Sequence, residues 1–254
     1  MSYITKKTVV QALQKMKIFH KFQVDLHKDF GMDFQENLGR RNVIMSAAQE
    51  HFFAGEIAKA YPDAIADGRT GKADIFIPSL EKELECKITS KTKSGAFSLQ
   101  TDYETLKKKG SLDYLYVLAS KDFQKFAVIF FEGLTVDDFH SVSPGSRGKV
   151  KMNKSVAMKK AIILHGNAVD KNEIELRKLS IHFYSATSDA FKDVTTGTSK
   201  IWSTSHNAVQ KRARMKEVLQ NKMTRHKSKM QKILDKTKYW ENEPKKYSFE
   251  LHEV

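Results

Sequence analysis

One cysteine, Cys86, stands in a chain of 254 residues. That excludes an intrachain disulfide framework and a cysteine-based zinc cage. No apolar run approaches the roughly 18–20 residues of a membrane span, and the opening Met1-Ser2-Tyr3-Ile4-Thr5-Lys6 lacks the apolar stretch of a signal peptide. These absences imply a soluble, cytoplasmic protein with no membrane partner. The nine histidines are scattered without metal-ligand spacing, which argues against a zinc site. Gly68-Arg69-Thr70-Gly71-Lys72 has the outline of a phosphate loop. However, Ala66 occupies the first glycine position, Ala73 replaces the Ser or Thr, and a strand pattern follows instead of a helix. Neither a nucleophilic serine elbow nor a haem attachment pattern is present, and there is no internal repeat of fixed period.

What the chain has in excess is positive charge. Its formal net charge is +14, which points to a polyanionic partner. By composition it divides into an N-terminal helical segment over 1–38, a core over 39–190 and a basic, mainly helical region over 191–254, with one continuous domain as the alternative. In the first part Val9, Val10, Leu13, Met16 and Ile18 make one helical pattern among lysines. In the second, the segment 41–61 has no proline, and Val43, Ala47, Ala54, Ile57 and Tyr61 recur at helical spacing. Leu99, Tyr103 and Leu106 suggest a further helix ending at Gly110. Dense apolar runs at 112–119 and 126–134 read as strands of a central sheet, and 157–164 and 178–184 look like additional strands.

Between these lie two adjoining alternations. Ala73, Ile75 and Ile77 alternate with Asp74 and Phe76, while Leu84, Cys86 and Ile88 alternate with Glu83, Glu85 and Lys87. Joined by a turn around 78–82, the register that puts Asp74 opposite Glu85 also gathers all six apolar residues on one face. Directly opposed carboxylates, with Cβ atoms roughly 4.5–5.5 Å apart, repel unless a cation sits between them. Mg²⁺ suits that gap, since it takes oxygen ligands from one or two carboxylates plus substrate phosphate. Lys87 shares the face of Glu85 and can position an attacking water or offset phosphate charge. The other reading of these residues is a solvent-exposed hairpin with cross-strand ion pairs.

The triad Asp74, Glu85 and Lys87 resembles the PD-(D/E)XK nuclease superfamily, which includes type II restriction endonucleases. The resemblance covers roughly residues 40–135, with Ala73 standing where the motif has Pro. It implies an α/β fold of mixed α+β character, in which helices flank a central mixed sheet, and the order helix, strand, strand, helix, strand read above agrees with that core. It further implies a Mg²⁺-dependent, sequence-specific endonuclease acting on double-stranded DNA, with Asp74 and Glu85 as metal ligands, Lys87 as a catalytic residue and a homodimer as the working form. Glu50 falls in the middle of the apolar stripe of 41–61, where a carboxylate needs a partner. The resemblance makes it a further catalytic or metal-binding residue, and a structural ion pair is the alternative. Glu56, on the polar side, reads as solvated.

Two segments are candidates for DNA contact. The loop 141–149 clusters Gly, Ser and Pro with basic residues, so Arg147, Lys149 and Lys151 either approach DNA or belong to a plain linker. From 206 to 238 a long basic helix places Lys222, Arg225, Lys229, Lys232 and Lys236 on one face over about 21 Å, matched to a duplex with one charge per about 1.7 Å. Alternatively, Leu219, Met223, Ile233 and Leu234 dock this helix on the core and the cations face water. Beside the restriction enzyme stand two other functions: a repair, recombination or phage nuclease of the same fold, and a non-catalytic DNA-binding protein.

Overall fold

Thr5 is extended and its hydroxyl accepts the Thr8 amide, so it caps helix α1, Lys6–Asp29. Asn37 caps α2, Leu38–Ile57, through the Arg40 amide. The computed structural model describes residues 2–69, 72–92, 95–143, 145, 148–202, 208–242 and 245–254. After the two helices come strands β1 (Ile65–Ala66), β2 (Ile75–Ile77), β3 (Lys82–Ser90) and β4 (Gln100–Asp102), then α3 (Tyr103–Lys109). Strands β5 (Leu112–Ala119), β6 (Lys125–Leu134) and β7 (Lys149–Lys151) follow, then α4 (Lys154–Ala157), β8 (Ala161–His165) and β9 (Asn167–Asp170). Two long helices, α5 (Lys171–Trp202) and α6 (Ala208–Asn242), precede β10 (Tyr247–Glu250) and β11 (His252–Glu253).

The main sheet runs β1-β2-β3-β5-β6-β11, with β8 also paired to β6. The β3–β5 pair is parallel and the other pairs are antiparallel, so the sheet is mixed. Every residue of β5 is buried, as expected of a strand covered on both faces. One face, with Ile75, Leu84, Cys86, Leu115 and Val117, packs against Leu13, Met16, Met45 and Phe53 of α1 and α2. The other, with Tyr114, Tyr116, Ile129 and Phe131, is covered by Leu99, Leu106, Val150 and Phe249. Gly110 ends α3 with φ 76°, and Gly166 turns β8 into β9 with φ 69°, where a Cβ would come within 2.6 Å of the Glu250 carbonyl oxygen.

The chain divides into two units, Met1–Val169 with Tyr247–Val254, and Asp170–Lys246. The boundary thus falls at 170 instead of 191, the N-terminal helix belongs to the sheet-containing unit, and the last residues return to that unit's sheet. In the second unit α5 and α6 pack on each other, and 178–184 is helical, not a strand. Of 157–164, only the part from Ala161 is a strand. Among the described residues, no helix is long and apolar enough to cross a membrane.

Helix α2 is rotated from the expected stripe. Met45, Ala48, Gln49, Phe53 and Glu56 face inward, while Val43 is 71% exposed. Glu56 is buried, with Lys15 of α1 at 2.7 Å and Lys59 at 2.6 Å, because α1 covers that side of α2. On α1, Ile18 is exposed and His20 is buried.

His20 stacks on Phe123, with ring centroids 4.6 Å apart, and its Nε2 has no hydrogen-bond partner among the described residues. Burial, and then the Arg41 cation, lower its pKa to about 4. The unfolded chain, in which histidine titrates near 6.5, takes up the proton first as pH falls. Stability contributed by neutral His20 is therefore present above about pH 6.5 and lost as pH falls toward 4, by up to about 3 kcal/mol. Urea denaturation across this window should show a smaller loss for His20→Leu than for the wild type; an equal loss would remove His20 from the cause.

Candidate active site

Strand β2 pairs with β3 through Ile75↔Leu84, Phe76↔Glu83 and Ile77↔Lys82. Continued by one residue, this register sets Asp74 opposite Glu85. The connection is a 3-10 turn, Pro78–Leu80, closed by Glu81 at φ 51°. Ala73, Ile75, Ile77, Leu84 and Cys86 are all buried, so the period of two sends Asp74, Glu85 and Lys87 to the opposite face. Where the β2 ladder ends, the Asp74 carboxylate takes over as partner: its Oδ2 accepts the Cys86 amide at 2.7 Å. Asp74 Oδ1 has no bond of this kind among the described residues.

Glu85 and Lys87 form an ion pair on β3. In the parallel register with β5 they lie beside Tyr114 and Tyr116, whose stacked rings are 5.8 Å apart. Burial raises both phenols, so they stay neutral and act as hydroxyl groups. Tyr114 shares a hydrogen bond with Thr101 Oγ1 at 2.7 Å, and the Tyr116 hydroxyl donates to the Gln100 carbonyl at 2.9 Å.

Glu50, on α2, is half-buried. Burial, then the neighbouring charge of Asp74, raises its pKa to about 7, and Glu85 adds to the rise while Lys87 opposes it. Gly68 lies against it, so that a Cβ there would sit 3.4 Å from Glu50 Oε2. The Asp74 carboxyl is also raised by burial, against the pull of Lys87 and the Cys86 amide, and Glu85 is raised by burial as well. For Lys87 burial works to lower the pKa, but Glu85 and Asp74 outweigh it and the ammonium is held more firmly than usual. Three carboxyls around one ammonium make a site short of positive charge, and one divalent cation would offset the excess.

Among the described residues, no three His, Cys, Asp or Glu side chains converge closely enough to hold a metal alone. Asp74 and Glu85 suit a Mg²⁺ ion that takes its remaining oxygens from water and phosphate.

Of the DNA-contact candidates, Lys149 and Lys151 are exposed on β7, and Arg147 lies outside the described residues. Lys149 lines a cleft of about 310 Å³ together with Lys87. On α6, in the second unit, Arg225, Lys229, Lys232 and Lys236 are exposed and Lys222 is half-buried. Ile233 is buried there and Leu219 half-buried, whereas Met223 and Leu234 are exposed. Gly71 and His206 lie outside the described residues. Sequence reasoning missed Gln100, Ser98 and Thr101, which line the cleft beside Lys87; a three-residue strand has too few positions to show a period. It also missed Gln49, whose Nε2 donates to the Leu115 carbonyl at 3.2 Å inside the core.

No family model, curated protein or solved structure matches this chain.

Proposed function

We propose that the chain is a metal-dependent endonuclease of the PD-(D/E)XK type that hydrolyses phosphodiester bonds in double-stranded DNA, most simply a type II restriction enzyme. The observation that carries this reading is the β2–β3 register, which, continued one residue past Ile75↔Leu84, sets Asp74 opposite Glu85 with Lys87 on the same face, beside a Glu50 whose pKa is raised to about 7. Mg²⁺ held by Asp74 and Glu85 would supply Lewis-acid charge at the phosphate and a water of lowered pKa. Lys87, protonated and aimed across the carboxylates, orients the attacking water and offsets the charge that develops on phosphate oxygens. Glu50, titrating near neutrality, accepts a hydrogen bond from that water or takes part in a second metal position. The Cys86 amide fixes the Asp74 rotamer, so the site is organised before DNA arrives. Cutting both strands of a symmetric sequence is most simply served by a two-fold homodimer.

Incubation of the purified protein with unmethylated plasmid or phage DNA and Mg²⁺ tests this, with EDTA as the control. Discrete fragments that need the metal are the expected result. A smear would favour a non-specific or structure-selective nuclease on the same scaffold, and intact DNA with Mg²⁺ and with Mn²⁺ would favour a DNA-binding protein without catalysis.

The exposed cations of α6 supply backbone affinity in this reading. Replacing Arg225, Lys229 and Lys232 together with Gln should lower the slope of log affinity against log salt by about 0.9 for each phosphate no longer neutralised, hence by up to about 3. Fluorescence anisotropy over a salt series would measure it, and an unchanged slope would make this a solvated face.

A further inference from the structure

Strands β4 and β7 form a separate two-stranded ribbon, in which Gln100 opposes Lys151, Thr101 opposes Val150 and Asp102 opposes Lys149. Thr101 and Val150 are 4% and 2% exposed and face the core. The period of two therefore turns Gln100, Asp102, Lys149 and Lys151 outward. The ribbon is held on the main sheet by the two tyrosine hydroxyls of β5 described above. Beyond it, the Met152 amide donates to the Leu99 carbonyl at 2.8 Å and the Tyr103 amide to Gly148 at 2.9 Å. On the far side of β7, the His140 amide donates to the Lys151 carbonyl at 2.9 Å.

The outward side chains differ in what they are free to do. The Asp102 carboxylate caps α3 through the Thr105 amide at 2.9 Å and is committed to that helix. Among the described residues, the Gln100 carboxamide makes no hydrogen bond, and Lys149 and Lys151 make no ion pair. In the wall of the same cleft the Ser98 hydroxyl is buried with no hydrogen-bond partner among the described residues. Lys87, Thr89, Ser98, Gln100, Asp102 and Lys149 line that cleft of about 310 Å³. A second cleft of about 520 Å³ shares Gln100 and Lys149 and extends to His140, Ser141, Ser143 and Lys151.

We infer that this ribbon enters the major groove of the DNA and reads base edges beside the cut, with Gln100 and Lys151 as specificity-determining residues. The inference rests on the nuclease reading above and adds the element that selects the sequence. A major groove about 12 Å wide admits a two-stranded ribbon, a free carboxamide matches the N6 and N7 edge of adenine, and a lysine matches O6 and N7 of guanine. The occupant is a duplex, because Lys149 and Lys151 make no ion pair among the described residues and the first cleft, which shares Gln100 and Lys149 with the second, begins at Lys87. Lys87 and Gln100 line the same cleft. The selected bases therefore lie next to the cut, not at a distance from it.

The experiment uses a randomised duplex library with wild type, Gln100→Ala and Lys151→Ala. It is cut in Mg²⁺ and the ends are sequenced; in parallel it is bound in Ca²⁺ and the retained duplexes are sequenced. The expected result is a base preference next to the cut that relaxes about 10- to 100-fold at one position in each variant. Preferences unchanged in both variants would overturn the inference, as would wild-type cutting and retention without preference, and neither result would touch the nuclease reading. If the wild type cuts nothing but the variants shift the retained sequences, the ribbon reads bases and the nuclease reading falls. If it neither cuts nor selects, both fall.

Discussion

Asp74→Asn and Lys87→Ala should each stop Mg²⁺-dependent DNA cleavage while leaving a folded protein that still binds DNA. For Lys87 a loss of about 10²–10³-fold is expected, the size associated with removing one pre-aimed donor from a developing charge. Its pair with Glu85 is partly buried, so the stability that goes with it is read separately, by urea denaturation of the variant. Asp74→Asn should cost at least as much in rate, since it removes a carboxylate from the cation-holding pair. The amide oxygen of the Asn can still accept from Cys86, so the β2–β3 junction is preserved. Removing one negative charge from the cluster should leave DNA binding intact or tighten it. The measurement is a cleavage time course run beside anisotropy binding in EDTA. Cleavage by Asp74→Asn at the wild-type rate would make the triad an ion-pair cluster of a binding protein.

Arg41→Ala should give the largest loss of stability, about 3–5 kcal/mol. Arg41 is 0% exposed. Its guanidinium bonds the Ser120 and Lys121 carbonyls, the Ser90 hydroxyl and Asn42 Oδ1, and lies 5.3 Å from the Phe123 ring centroid. Burial brings its pKa down to about 10, still high enough for it to remain a cation at neutral pH. Phe123, at φ 59° in the β5–β6 turn, occupies a left-handed backbone that costs a non-glycine residue about 1–2 kcal/mol. Its ring, packed against both Arg41 and His20, holds that turn in place. Alanine would leave two turn carbonyls and a serine hydroxyl without a donor, and a cavity beside the ring. Urea denaturation should show the loss, and Arg41→Lys should recover only part of it because one ammonium cannot reach all four acceptors. A loss below about 1 kcal/mol for Arg41→Ala would mean that water replaces the guanidinium at little cost.

What the sequence by itself determined is local. Two alternations of period two, each with one apolar side and joined by a short turn at 78–82, favour the register that buries Ile75, Leu84 and Cys86 together, and that register, continued by one residue, opposes Asp74 to Glu85 and aligns Lys87. The apolar density of β5 and β6 likewise marked them as central strands. Only the tertiary structure decided which side of each helix is covered. Val43 was eligible for the core by spacing and is exposed, whereas Glu56 is buried because Lys15, far off in sequence, closes over it from α1. The same holds for 178–184, whose apolar residues suit a strand or a helix and which lies within α5, a helix that packs on α6. The ribbon of β4 and β7 pairs residues about fifty apart, and β11 reaches β6 from the end of the chain. Three- and two-residue strands carry no period to read, so pairing partners distant in sequence are set by what each surface finds to bury.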